Sequence, residues 1–511
     1  MKARSFRTLV CVLIVLGLVW FAWNQSRTPL EKLKAEAKKG SAEAQYNLGV
    51  MHIRGEGVPK DYVEAVKWYR KAAEQGYAEA QFRLGLMFHQ GDGVAEDKAE
   101  AMKWLLKAAE QGKTDAQFCL GLMCAKGDGI IKDTTAALKW FYKAAEQGNA
   151  AAQFNIGVSY MIGEGVPKNA PEAVKWFRKA AEQGHADAQL TLGILYAKGE
   201  DLVKNYVEAV EWYRKAAVQG NAAAQFNIGV MNSKGEGVPK SATEAVKWFR
   251  KSAEQGNADA QFSLGLMYGN GEGVPKDAAE ASKWFCKAAE QGNSDAQFNL
   301  GWAYDKGEGV LKDATEAAKW YRKAAEQCNA HAQFSLSFMY GKGEGVTEDK
   351  AEAMKWLRKA AEQGQVEAKF NLGWAYDKGE GVEKDAGEAV KWYSRAAEQG
   401  NAAAQFNLGM AYANGTGVTP SYTEAAKWFR QAADQGNPRA QYYLGALYKY
   451  GNGVQKNYVS AYLYFALAAA KDESGAEYQR QQLVGELEPA SRALAERLFR
   501  EWKPLAPMKS Q

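Results

Sequence analysis

The chain has 511 residues, with 65 Lys and Arg against 60 Asp and Glu for a net charge of +5. Lys2, Arg4 and Arg7 supply three of those charges ahead of everything else, so the remainder is close to neutral and a basic nucleic-acid-binding stripe is excluded. The four histidines, His52, His89, His185 and His331, fall at different places and none has a second ligand at metal spacing. With no nucleophile-elbow or metalloprotease motif either, the sequence points to no catalytic group, no metal, no cofactor and no small-molecule substrate.

The first predicted element follows those basic residues. Thr8 to Ser26 carries no charge and is mostly apolar, the layout of a secretory signal or a signal-anchor. As a helix it would run about 28 Å, close to the roughly 30 Å of bilayer hydrocarbon. Trp20 sits where a signal peptidase needs a small residue, and Trp20 and Trp23 suit a membrane interface, so residues 8–26 are expected to stay as an anchor rather than be removed. The short basic N-terminus then argues for a cytoplasmic start and an outward-facing remainder, although Arg27, Lys32, Lys34, Lys38 and Lys39 beyond the span weaken the asymmetry.

Leu30 to Lys39 reads as a short, charged capping helix, and after it one unit repeats. Tryptophan recurs at 68, 104, 140, 176, 212, 248, 284, 320, 356, 392 and 428, always 36 residues apart, so a single supersecondary unit is copied about twelve times. In the first copy Ala44, Leu48, Met51 and His52 share one helix face over Ala42 to Arg54, which we term helix A. Gly55 and Gly57 end it, because glycine adopts the left-handed backbone of a helix stop at no steric cost. Asp61 and Glu64 form a capping-box pattern that opens helix B, and the pattern returns from Asp97/Glu100 to Ser421/Glu424. Helix B is expected to bury Tyr62, Ala65, Trp68, Tyr69, Ala72 and Ala73 and to end at Gly76. Gly49 inside helix A costs about 1 kcal/mol against alanine, so it is read as a close-packing residue.

Three departures stand out. Cys328 replaces the glycine that ends helix B, Ser337 replaces the next glycine of Gly49 type, and Asp201 replaces a loop glycine. The first two should loosen their junction, since a non-glycine residue forced left-handed costs on the order of 1 kcal/mol. Cys119 and Cys124 lie five apart on one helix and point in different directions, so they are not expected to pair. Beyond Ala470 come two unlike helical segments, in the second of which Leu494, Leu498 and Trp502 should press onto the stack as an apolar stripe. The expected organisation is therefore 1–29 signal-anchor or signal peptide with a short linker, 30–40 N-terminal cap, 41–472 twelve repeats, 473–503 C-terminal capping helices and 504–511 disordered tail. Stacked helical hairpins of this kind make an all-α solenoid.

The segments Ala-Glu-Ala-Gln-Tyr-Asn-Leu-Gly at 42–49, Gly-Glu-Gly-Val at 55–58 and Ala-Val-Lys-Trp-Tyr-Arg-Lys-Ala-Ala-Glu-Gln-Gly at 65–76 resemble the Sel-one-like (Sel1) repeat family, relatives of tetratricopeptide repeats. The resemblance implies a right-handed α-solenoid of about twelve 36-residue helix-turn-helix repeats and an adaptor that gathers proteins, often at membranes or in bacterial envelopes. It also implies that helix A lines the concave face. The residues left over from the two packed sides of helix A, at 43, 47 and 54 and their equivalents, form one stripe. Asn47, Asn155, Asn227, Asn299, Asn371 and Asn407 make an asparagine ladder along it, joined at position 54 by lysines including Lys234, Lys306 and Lys378. These nine residues are the candidate partner-binding set, with the ladder bonding the backbone of a protein segment and the lysines guiding acidic side chains. The expected role is a protein-interaction scaffold in the cell envelope, inner-membrane anchored with periplasmic repeats, or secreted if the signal is cleaved. The alternatives are a secreted hydrolase of the β-lactamase-like type and a structural spacer.

Overall fold

The computed structural model describes residues 29–200 and 202–505, so the anchor expected at 8–26, Asp201, and the end of the tail from 506 lie outside the described residues. Among the described residues there are 27 helices and no strand, arranged as successive helix pairs. No described helix is long and apolar enough to cross a membrane. Contacts divide the chain into two compact units, 1–248 and 249–511.

Each pair is built the same way. Helix A of the first copy, Ala42–Arg54, is capped by Ser41 and stopped by Gly55, whose φ of 72° lets its N–H reach the Met51 carbonyl. Helix B, Tyr62–Glu74, starts where Asp61 Oδ1 accepts the Glu64 N–H at 3.0 Å. Only half of the expected capping box forms. The Asp61 N–H donates to the His52 carbonyl of helix A instead, and the Glu64 carboxylate pairs with Lys67 at 2.8 Å. The cap residue therefore clips the two helices of a pair together, because the turn brings helix A's free carbonyl nearer than the Glu64 side chain.

The close approach inferred for Gly49 is present: a Cβ there would stand 2.5 Å from the ring of Tyr69. Helix B buries four of the six expected residues, Ala65, Tyr69, Ala72 and Ala73, and Val66 with them; Tyr62 is exposed and Trp68 half-buried, although the tryptophan is buried in other copies, as at Trp104 and Trp356. Lys71 lies on the Trp68 ring at 4.4 Å, and a basic residue three positions on repeats this, at Lys215 on Trp212 and Lys323 on Trp320. At Trp68 the cation over the indole face offsets the cost of leaving that ring partly in water, whereas Trp212 and Trp320 are buried.

The first described helix of the first unit, Pro29–Lys38, covers Ala44 and Leu48 with Ala37, Leu30 and Leu33. Burying a leucine such as Leu48 contributes on the order of 2 kcal/mol, the gain that a terminal cap preserves. In the second unit the helices Ala476–Val484 and Pro489–Glu501 close the stack through Leu483, Ala495 and Phe499 against Tyr462 and Phe465. Leu494 and Leu498 are exposed, so the apolar stripe of the last helix that docks is the one shifted by one residue, Ala495 and Phe499. Leu505 donates its backbone N–H to the Asp434 carbonyl, which ties the start of the tail back onto the repeats.

At the departures, Cys328 does adopt the left-handed backbone, with φ of 65°. Ser337 is accommodated differently: its hydroxyl donates to the Phe334 carbonyl at 2.6 Å, and Leu357 stands where most copies carry an aromatic ring. Cys119, Cys124, Cys286 and Cys328 are all free thiols.

Candidate partner-binding face

Register between copies is set by glutamine, a signal the sequence reading passed over. Gln45 donates to the Ala37 carbonyl at 3.0 Å and accepts from Gln75 at 2.7 Å. In the second unit Gln297 bonds Ala289 and Gln327 in the same way, and Gln333 bonds Ala325 and Gln363. Gln45, Gln297 and Gln333 are buried and each both donates and accepts, so the inter-repeat fastening belongs to the glutamines rather than to the asparagine ladder. Its spacing of 36 residues was as visible as that of the tryptophans.

The ladder itself lies where the leftover stripe was expected. Asn47 is exposed and Asn155 and Asn227 are half-buried in the first unit, as are Asn299, Asn371 and Asn407 in the second. Asn155 and Asn299 donate to their own helix, to the Ala151 and Asp295 carbonyls four residues back, both at 2.8 Å. Thr191 and Ser263, at the same repeat position, do likewise toward Asp187 and Asp259. This back-bonding satisfies one donor locally and explains why polar residues persist mid-helix. An asparagine amide carries a carbonyl oxygen and a second N–H beyond the one donor used at Asn155 and Asn299.

Lys234, Lys306 and Lys378 are exposed. Lys306 and Lys378 reach Asp305 and Asp377 at 2.7 and 2.8 Å. The structure brings Lys378 and Asn407 into one cavity of about 220 Å³, together with Tyr393 and Met410. Asn371 lines a larger one of about 650 Å³ with Phe338, Lys342 and Trp374.

A set that sequence reasoning missed sits between the asparagines and the lysines, at the equivalents of Val50. Along a helix, positions 43, 47, 50 and 54 share a face. In the first unit this place holds half-buried aliphatic residues such as Val50, Leu86 and Val158. In four consecutive copies of the second unit it holds Leu266, Trp302, Phe338 and Trp374, which are 36%, 43%, 45% and 38% exposed. The signal was present, since two tryptophans and a phenylalanine depart from the aliphatic pattern, but an apolar residue on an amphipathic helix is normally assigned to the core.

The histidines serve packing and capping. His89 bonds Asp128 at 2.7 Å, and His185 accepts from the Ala188 N–H and stacks on Phe154. Among the described residues no three His, Cys, Asp or Glu side chains converge on a point that could hold a metal. The arrangement offers contact surface and hydrogen bonds.

A family model described as Sel1 repeat matches twelve consecutive segments from 42–77 to 438–473, interrupted only between 327 and 330, at Cys328. Among solved structures the chain is similar to a protective antigen of uropathogenic Escherichia coli with an SLR fold, at 39% identity and a TM-score of 0.76, over 87% of this chain and 99% of that one. It is also similar to a Sel1 repeat protein from Oxalobacter formigenes, at 35% identity and a TM-score of 0.50, over 64% and 93%. No curated protein matches the chain.

Proposed function

We propose that this chain, which belongs to the Sel1 repeat family, is a scaffold that holds a partner protein segment against the exposed stripe of helix A. Proteins built from these repeats and their tetratricopeptide-like relatives are generally protein-interaction scaffolds and typically non-enzymatic. The observation that carries the finer reading is the division of labour between glutamine and asparagine. The buried glutamines fasten repeat to repeat, as Gln297 does to Ala289 and Gln333 to Ala325, while the Asn47-type residues make no such tie at Asn155 or Asn299 and keep bonding capacity in reserve. A polar ladder not consumed by the fold is available to a ligand's backbone.

The stretch at 8–26 supports placing this scaffold in the cell envelope, anchored in the inner membrane with the repeats outside the cytoplasm, or released if the segment is cleaved. The test is replacement of Asn227, Asn299 and Asn371 together by alanine, followed by capture of partners from membranes. Capture should fall sharply with the melting curve nearly unchanged, because alanine is the better helix former. A large drop in melting temperature with capture retained would refute this reading.

A further inference from the structure

The scaffold reading leaves open what kind of segment is held. The aromatic stretch of the second unit narrows it. Leu266, Trp302, Phe338 and Trp374 lie at one register position in consecutive copies of helix A, each more than a third exposed, so they form a continuous apolar line. On its N-terminal side every copy of helix A presents Asp259, Asp295, His331 or Glu367, and on its C-terminal side Lys306, Lys342 and Lys378. Three acidic residues and a histidine thus stand along one edge of the line and three lysines along the other, two of those lysines paired with aspartates.

The edge-to-edge distance, from position 43 to position 54, is eleven helical steps, or roughly 16 Å. That gap is wider than a helix with its side chains, about 10 to 12 Å across, so a helix fits between the two edges.

The 650 Å³ cavity falls at the far end of this line, between its last two members, Phe338 and Trp374. Its floor is opened by Gly341, which stands where the neighbouring copies carry Asp305 and Asp377. That exchange has a second effect. Lys306 and Lys378 are neutralised by those aspartates within 3 Å, but Lys342 finds only Glu344, at 3.8 Å. An open cavity and an under-neutralised cation therefore coincide, with Glu348 and Lys350 paired to each other at the cavity edge.

Resting on the scaffold reading, we propose that this face docks an amphipathic helix of a partner protein, one large apolar side chain seated between Phe338 and Trp374 and a carboxylate within a turn of it meeting Lys342. The helix lies along the aromatic line with basic residues toward Asp259, Asp295 and Glu367.

The experiment is selection of a displayed library of random peptides roughly 20 residues long, enough to span about 30 Å as a helix, on the full chain. The selected sequences are then synthesised and their affinities measured by calorimetry. The expected winners carry apolar residues at helical spacing and an Asp or Glu beside a Leu, Phe or Trp. They should bind Gly341→Leu, and the triple variant Trp302→Ala, Phe338→Ala, Trp374→Ala, roughly tenfold or more weakly, as loss of a buried aromatic anchor does. Lys342→Glu should weaken acidic winners selectively. Gly341→Leu keeps the test falsifiable if the triple variant unfolds, because a Cβ at Gly341 meets only Ala353 Cβ at 3.9 Å. Winners without an apolar stripe, winners with proline at every third position, or affinities unchanged by Gly341→Leu would overturn the proposal. If the Asn227, Asn299, Asn371 triple loses binding while the aromatic variants keep it, the helix proposal falls and the scaffold reading survives. If neither set of variants loses binding, both fall.

Discussion

Lys369 stands where eleven other copies have the register-setting glutamine. It is 8% exposed and its ammonium donates to Gln399 Oε1 at 2.9 Å, but it makes no bond to the Ala361 carbonyl of the kind Gln333 makes to Ala325 and Gln405 makes to Ala397. Burial, with Arg395 nearby, pushes its pKa below the usual 10.5. Lys369→Gln restores a buried hydrogen bond worth about 1 kcal/mol and removes a partly desolvated charge, so a gain of about 1 to 2 kcal/mol is expected. Lys369→Met separates the two effects, since it removes the charge without restoring the bond. Urea denaturation followed by circular dichroism at pH 7 reads the difference, and an unchanged or lower midpoint for Lys369→Gln would refute the reasoning. The sign with pH is also fixed. Between the lowered folded value and 10.5 the unfolded chain holds the extra proton, so wild-type stability rises with pH across that alkaline window. The glutamine variant should lose that rise.

Three other substitutions follow from backbone and packing. Cys328→Gly relieves a left-handed residue and should raise stability by about 1 kcal/mol in the same urea experiment. Gly301→Ala places a Cβ 2.7 Å from the buried ring of Tyr321 and should cost about 1 to 3 kcal/mol. Gly341→Ala, also helical but facing open space, should instead be neutral or gain up to about 1 kcal/mol.

The repeat phase, the helix boundaries and the Gly49 packing contact were legible in the sequence because each depends on residues whose backbone or size leaves few options. Glycine at Gly55 and the asparagine or aspartate caps act locally, so their meaning survives without coordinates. What escaped was the choice between equivalent apolar positions. Tyr62 and Val66 both fit a buried stripe, as do Leu494 with Leu498 and Ala495 with Phe499, and only the neighbouring helix decides which pair it meets. Trp302 and Phe338 escaped for the opposite reason, since hydrophobicity alone does not report that no helix covers them. The capping box was half right because the side-chain half is local and the Asp61 N–H is claimed by the preceding helix. The nine candidate site residues lie on helix A and are half-buried or exposed, while the glutamine fastening required the fold.

The central claim is that the exposed face of helix A, and not the outer face of helix B, meets the partner. Photo-crosslinking in cells tests it most directly, with a photoreactive side chain placed singly at Ser263, Asn299 or Ser335 on helix A, at Lys283, Lys319 or Lys355 on helix B, and at Leu494 or Leu498 on the terminal cap. The account predicts crosslinked partner bands from the helix A positions and few or none from helix B. Crosslinks confined to helix B, or to Leu494 and Leu498 on the terminal cap as a spacer would give, would contradict it.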